Sequence, residues 1–328
     1  MMKRHAIGTL FVLMTLGTVL AKAPVYTDPE QPGDDFEIQG EYVGTAETKD
    51  GARRVGVQVI ARGNGKFDAV AYPGGLPGAG YNGEETRAAD GQFQLDNGKA
   101  VFRGDDATAT IAEGVLSVDG AEGETVAKLK KVMRESPTLG KEPPREAVVL
   151  FDGTDADAFR NGEVTDDGLL KAGVTSKRTF GDHSLHVEFR LPYQPEDRGQ
   201  GRGNSGIYLQ GRYEIQMLDS FGLEGKHNEC GGIYERKAPD VNMCYPPLSW
   251  QTYDIDFTAA KYDDQGDLLA APKLTVRHNG EVIHDGVELP NDQPTRAAPV
   301  KAGPTPGPVY LQDHGNPVRY RNIWVVEK

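Results

Sequence analysis

Basic residues are in short supply. Lysine and arginine total 36 against 49 aspartates and glutamates, so the 328-residue chain carries a net charge of −13. Nucleic acids and anionic membranes attract positive charge, so neither is an expected partner. Long helical patterns are missing too, while glycine (41) and proline (21) are plentiful. That balance belongs to a β-rich protein with many turns. Cysteine is limited to Cys230 and Cys244. With no other cysteine nearby, and His227 without a partner at ligand spacing, no zinc site is expected. The glycine-rich stretch from Gly74 to Gly80 lacks the Lys-Ser/Thr and helix of a phosphate loop.

What is present begins with a leader. Met1-Met2-Lys3-Arg4-His5 is a basic head and residues 6–20 are apolar, too short and wrongly flanked for a membrane span. Small residues follow, and cleavage after Ala21 is preferred because Pro24 would crowd the alternative site after Ala23. No cysteine follows to carry a lipid. Residues 1–21 therefore read as a signal peptide, and the mature chain as periplasmic or secreted with no membrane span. In an oxidising compartment Cys230 and Cys244 are expected to form a disulfide, which on the chain-entropy account stabilises by roughly 3 kcal/mol.

Residues 34–131 read as a small β-rich accessory domain, a sandwich or barrel. Alternating strands are punctuated by hairpin dipeptides, Asn64-Gly65, Asp90-Gly91 and Asn97-Gly98. Ala127 to Arg134 reads as a helical turn or two. Residues 132–146, rich in proline and charge, read as a linker. Residues 147–328 form a second block. Leu185, Val187, Phe189 and Leu191 alternate with His186, Glu188 and Arg190, and Asn279-Gly280 marks a further hairpin. With no long helix, the expected architecture is an antiparallel jelly-roll sandwich.

Several polar residues fall on strands that already have an apolar face, where folding did not require them. Glu214 and Gln216 share a face, and a bulge at Met217-Leu218 would bring Asp219 beside them. Tyr208 and Gln210 share a face on the preceding strand, which Asn204 opens. Gln312 and His314 share another, with Asp313 between. Such a surface suits a polyhydroxylated ligand, which needs directional hydrogen bonds and an aromatic platform, here Tyr234 or Trp250.

The motifs Asn204-Ser205-Gly206-Ile207-Tyr208, Tyr213-Glu214-Ile215-Gln216-Met217-Leu218-Asp219, Cys230-Gly231-Gly232-Ile233-Tyr234, Trp250-Gln251-Thr252-Tyr253-Asp254 and Leu311-Gln312-Asp313-His314-Gly315 occur in this order. Together with Leu150-Phe151-Asp152-Gly153 and Phe180-Gly181-Asp182-His183, they make residues 147–328 resemble the 3-keto-disaccharide hydrolase family. The resemblance implies a concanavalin-like jelly roll and cleavage of glycosides already oxidised at C3. The Glu214, Gln216, Asp219 spacing is also similar to the catalytic strand of lichenase-type glucanases, except that Gln216 stands where those enzymes carry an acid. That departure argues against an ordinary retaining mechanism.

The implied route is removal of the C2 proton, elimination at C1, and addition of water. From that chemistry, Asp219 or His314 is expected as base and Glu214 as acid. Gln216, Asn204 or Arg190 would contact the enolate and hydroxyls. A non-catalytic lectin-like module and a conventional endo-glucanase are the alternatives. The expected partner is an oligosaccharide or glycoside. No cofactor is expected. Carboxylates are abundant enough for a structural calcium, but no loop has calcium-ligand spacing.

Overall fold

The computed structural model describes residues 23–32, 35–88, 93–96, 98–104 and 106–328. The leader at 1–21 and the Asp90-Gly91 turn lie outside the described residues. Apart from two single-turn 3-10 helices at Gly199–Gly201 and Pro290–Asp292, the regular structure is antiparallel β.

The first nine strands are β1 (Gly40–Thr48), β2 (Gly51–Ala61), β3 (Lys66–Pro73), β4 (Arg87–Ala88), β5 (Phe93–Asp96), β6 (Lys99–Arg103), β7 (Ala107–Ala112), β8 (Val115–Gly120) and β9 (Thr125–Val132). Each long strand pairs with its successor, β3 pairs with both β2 and β5, and β9 returns to β1. The pairings therefore close into a barrel, with the two-residue β4 also on β3. Closure removes the free edges that an open sheet exposes. At the β2–β3 turn Gly63, Asn64 and Gly65 all hold positive φ, 78°, 55° and 69°, which glycine and asparagine tolerate.

The helical expectation for 127–134 is wrong. In β9, Ala127 and Leu129 are buried while Lys128 and Lys130 are exposed, a period of two, and the strand is the stave that closes the barrel between β1 and β8.

The second block supplies β10 (Val148–Phe151), β11 (Phe159–Arg160), β12 (Leu170–Lys171), β13 (Val174–Phe180), β14 (His183–Arg190), β15 (Ser205–Leu209) and β16 (Tyr213–Met217). These are followed by β17 (Trp250–Thr258), β18 (Lys261–Tyr262), β19 (Leu268–Ala270), β20 (Lys273–His278), β21 (Glu281–Glu288), β22 (Gly307–Leu311) and β23 (Arg319–Glu327). One sheet runs β10-β23-β14-β17-β20-β21 with β12 also on β23, and the other runs β11-β13-β22-β15-β16. They enclose a core that includes Val187, Phe189, Ile207, Ile215, Tyr253, Val309 and Ile323. Burying each such side chain contributes about 1.5–3 kcal/mol. This is the expected sandwich.

The segment between barrel and sandwich lies against the outer face of the larger sheet. Thr138 Oγ1 donates to Asp254 Oδ2 at 2.6 Å and the Gly140 amide to Glu188 Oε1 at 2.5 Å. The barrel also packs on the sandwich. Ile60 of β2 joins the sandwich core, and Gly222 makes room for it, since a Cβ there would lie 2.4 Å from the isoleucine Cδ1.

Candidate active site

Strands β15 and β16 form a hairpin in which Tyr208 faces Glu214 and Gly206 faces Gln216. On one side β22 pairs Tyr310 with Tyr208. On the other side residues 231–234 dock on β16 through backbone bonds: Gln216 N to Gly232 O at 2.9 Å, Gly231 N to Gln216 O at 2.9 Å, and Tyr234 N to Glu214 O at 3.1 Å. Ile207, Ile215, Val309 and Leu311 face the core. Alternation therefore sends Tyr208, Glu214, Gln216 and Tyr310 to the opposite face. One row across that face reads Tyr234, Glu214, Tyr208, Tyr310. The next reads Gly232, Gln216, Gly206, Gln312, with the Gln312 amide bonded to the Gly206 carbonyl at 2.8 Å.

Glu214 is the chemical centre of the two rows. It is 2% exposed. Its Oε2 accepts from the Tyr208 hydroxyl at 2.7 Å, and that hydroxyl in turn accepts from Gln312 Nε2 at 3.1 Å. The Gln216 amide, turned so that its nitrogen faces the carboxyl, donates to Glu214 Oε1 at 3.2 Å and to the Ser205 carbonyl at 2.6 Å. Gly206 lies beneath the carboxylate; a Cβ there would come within 2.1 Å of Oε1. Burial pushes the Glu214 carboxyl from 4.5 up to about 7, opposed by the Tyr208 hydrogen bond and assisted by the Glu235 charge. Such a group exchanges a proton at neutral pH. Burial, reinforced by the Glu214 charge, pushes the Tyr208 phenol upward, so it remains a donor.

Asn204 extends the polar floor. It is 1% exposed. Its Nδ2 donates to the Gln200 carbonyl at 2.7 Å, whereas its Oδ1 is buried with no partner. A buried acceptor left open is costly, and a ligand hydroxyl would satisfy it.

The expected residues are only partly brought together. Asn204, Tyr208, Glu214, Gln216, Tyr234 and Gln312 share this face. His314 is exposed on the turn two residues beyond Gln312. Asp313, also exposed, uses Oδ1 to accept from the Gly315 amide at 2.8 Å. Asp219 is elsewhere. β16 ends at Met217 without the expected bulge, and Asp219 Oδ2 accepts from Arg202 Nε at 2.6 Å with both side chains buried. Its carboxylate is committed to that cation. Arg190 and Trp250 pair on the outer face of the other sheet, where Trp250 lies between Arg190 (5.0 Å) and Arg321 (4.0 Å). Hence neither reaches Glu214.

The expected Cys230–Cys244 disulfide is not formed. Both are buried free thiols. The two thiols are in hydrogen-bond contact with each other; Cys230 Sγ also lies 3.3 Å from the Tyr253 hydroxyl and Cys244 Sγ donates to the Leu218 carbonyl at 3.5 Å.

Tyr310 and Gln200 were missed. The Val309-Tyr310-Leu311-Gln312 alternation carries the signal for Tyr310. Gln200 sits in a 3-10 turn whose sequence gives none. Among the described residues no cluster of three or more His, Cys, Asp or Glu is placed to hold a metal ion.

The family model described as 3-keto-alpha-glucoside-1,2-lyase-like domain matches residues 146–326, just over half of the chain. A solved structure of a candidate glycosyl hydrolase from Parabacteroides distasonis ATCC 8503 is 32% identical, with a TM-score of 0.51 over 56% of this chain and 84% of that one. A second candidate glycosyl hydrolase from the same organism is 18% identical, with a TM-score of 0.41 over 56% of this chain and 94% of that one. No curated protein matches the chain.

Proposed function

The chain belongs to the 3-keto-alpha-glucoside-1,2-lyase-like family, and from that premise we propose that it cleaves 3-keto-glycosides and 3-keto-disaccharides by elimination followed by hydration. The observation that carries the reading is a single buried carboxyl, Glu214, poised near neutrality among amide and phenol donors. A ketone at C3 acidifies the C2 hydrogen. The Glu214 carboxylate takes that proton, and the electron pair forms the enolate, whose oxygen meets an amide donor such as Gln312. The enolate collapses with formation of the C1–C2 double bond and rupture of the bond from C1 to the leaving oxygen. Water then adds across the double bond, giving the free 3-keto sugar. The ketone is made beforehand by a separate dehydrogenase, so the cleavage itself calls for no redox cofactor.

This assigns Glu214 the base role, because the donors around it favour the ionised form. In an α-glucoside the leaving oxygen stands on the ring face opposite the C2 hydrogen. A second group must therefore deliver its proton, and His314 at the rim is the proposed donor. Asp219 acts as a positioning group through Arg202, two residues before Asn204. The conventional glucanase reading fits less well. It needs two carboxyls about 5–5.5 Å apart for retention, whereas Gln216 replaces one neighbour of Glu214 and Asp219 is tied to Arg202. The leader sequence supports action in the periplasm or outside the cell.

The test is direct. The protein is incubated with 3-keto-trehalose and, separately, with trehalose. Release of 3-keto-glucose from the first alone is expected. Cleavage of trehalose itself would move the case to an ordinary glycosidase, and binding without cleavage of either to a lectin-like module.

A further inference from the structure

The barrel is packed at one end and hollow at the other. At the packed end β3 contributes Phe67 and β7 contributes Ile111, both fully buried. Two and four residues along the same inward faces, β3 has Ala69 and Ala71, and β7 has Ala109 and Ala107. Side chains shrink along both of these strands. The result is a cavity of about 600 Å³. An eight-stranded ring is wide enough either to be filled by side chains or to hold one small molecule. This one does the first at one end and leaves space for the second at the other. The volume lies within the range of small-ligand pockets, roughly 300–1,000 Å³.

The lining is specific in what it offers. Val57, Ala69, Ala71, Phe102, Ala109 and Val118, from five strands, make the wall. Ala71, Phe102 and Val118 remain only partly buried although they point inward. Among the described lining residues there is no amide, hydroxyl or indole, and one aromatic ring. The cavity thus lacks the directional donors and acceptors that sugars need, in contrast to the face around Glu214. Its polar lining is ionic and exposed: Arg87 and Arg103, with Asp106 as the one carboxylate. Among the described lining residues these are two guanidinium groups against one carboxylate.

We propose that the barrel binds an amphipathic anion, an alkyl carboxylate of about a dozen carbons, with its tail in the alanine-lined hollow and its carboxylate at the end carrying Arg87 and Arg103. An apolar hollow gains from a hydrocarbon chain what it cannot gain from water, which requires polar partners. Arg is the side chain suited to grip a carboxylate with paired donors.

The experiment is calorimetric titration of the full-length mature chain with dodecanoate below its micellar concentration, and with dodecan-1-ol for comparison. Saturable binding of one dodecanoate per chain is expected, with dodecanol weaker. Ala109→Phe fills the hollow and is expected to abolish binding; Ala71→Leu provides a smaller filling should the phenylalanine disturb folding. Neither touches the Glu214 face, so cleavage of 3-keto-trehalose is expected to be unchanged in both. Arg87→Ala combined with Arg103→Ala is expected to weaken dodecanoate at least about tenfold and leave dodecanol unaffected. Absence of binding by the wild type, undiminished binding by a folded filled variant, or equal affinity for dodecanol and dodecanoate in the wild type would each overturn the proposal.

Discussion

Glu214→Gln keeps the size of the side chain and removes its ability to carry a proton. In the folded protein, burial holds the Glu214 carboxyl at about 7 rather than 4.5. That difference places a penalty of about 3 kcal/mol on the ionised form. Because the folded value is raised, the contribution to stability is full below the unfolded value and is lost as pH climbs through about 7. Glutamine escapes this loss. After allowance for a weaker bond from Tyr208, the variant should be more stable than the wild type at about pH 8 by on the order of 2 kcal/mol. Near pH 4 that advantage disappears. Turnover moves the other way. Loss of a general base costs about 10²- to 10⁴-fold, or ~3–5 kcal/mol in the barrier. The assays are denaturant unfolding at the two pH values and 3-keto-glucose release from 3-keto-trehalose across the neutral range. In the wild type the low-pH limb of the rate profile should follow the Glu214 ionisation, rising with pH through about 7. A variant within tenfold of wild-type turnover, or a stability difference independent of pH, would refute the assignment.

Other outcomes follow from the same geometry. Tyr208→Phe removes the bond that pulls the Glu214 carboxyl down, so the low-pH limb of the rate profile should shift to higher pH and the maximal rate should fall. Gly206→Ala sets a methyl 2.1 Å from Glu214 Oε1, and kcat should drop severalfold or more with the fold retained by circular dichroism. Asp219→Asn strips the buried Arg202 of its counter-charge; chemical denaturation should show a loss of about 3–5 kcal/mol, larger than any loss of turnover per folded molecule. His278 and His284 are held neutral by burial, at about 3 and about 4. Their folded values lie below the unfolded one, so each opposes folding as pH falls below about 6.5. Unfolding titrations should show stability falling in that window, and His278→Gln should reduce the fall.

The strand order of the site was legible because alternation is strict there. Ile207, Leu209 and Ile215 announce one face, which leaves Tyr208, Glu214 and Gln216 to the other, and Asn279-Gly280 fixes a hairpin by backbone chemistry alone. What alternation does not encode is which face of which sheet meets which. Arg190 and Trp250 obey the same period as Glu214 yet belong to the opposite sheet, so their polar face looks away from the site. Asp219 was misplaced for a related reason. Its partner, Arg202, comes from the loop before β15, an arrangement set by tertiary packing that strand periodicity does not report. The β9 segment was misread because its lysine-rich stretch suits a solvated helix as well as a strand, and only closure against β1 decides.

Arg202 bears on how this chain can be divided. Its Nε binds Asp219, while Nη1 donates 3.1 Å to the carbonyl of Ala61, at the end of β2. Arg198 reaches the neighbouring Arg62 carbonyl at 2.8 Å, and Ile60 fills the space above Gly222. Excising the sandwich at its obvious N-terminal boundary would thus uncover an apolar socket and strand two guanidinium groups beside the loop that carries Gln200 and Asn204. The sequence offers a clean place to cut, but the molecule is not modular there: a shortened chain would have to be re-engineered at Arg198, Arg202 and Gly222 before its catalytic behaviour meant anything.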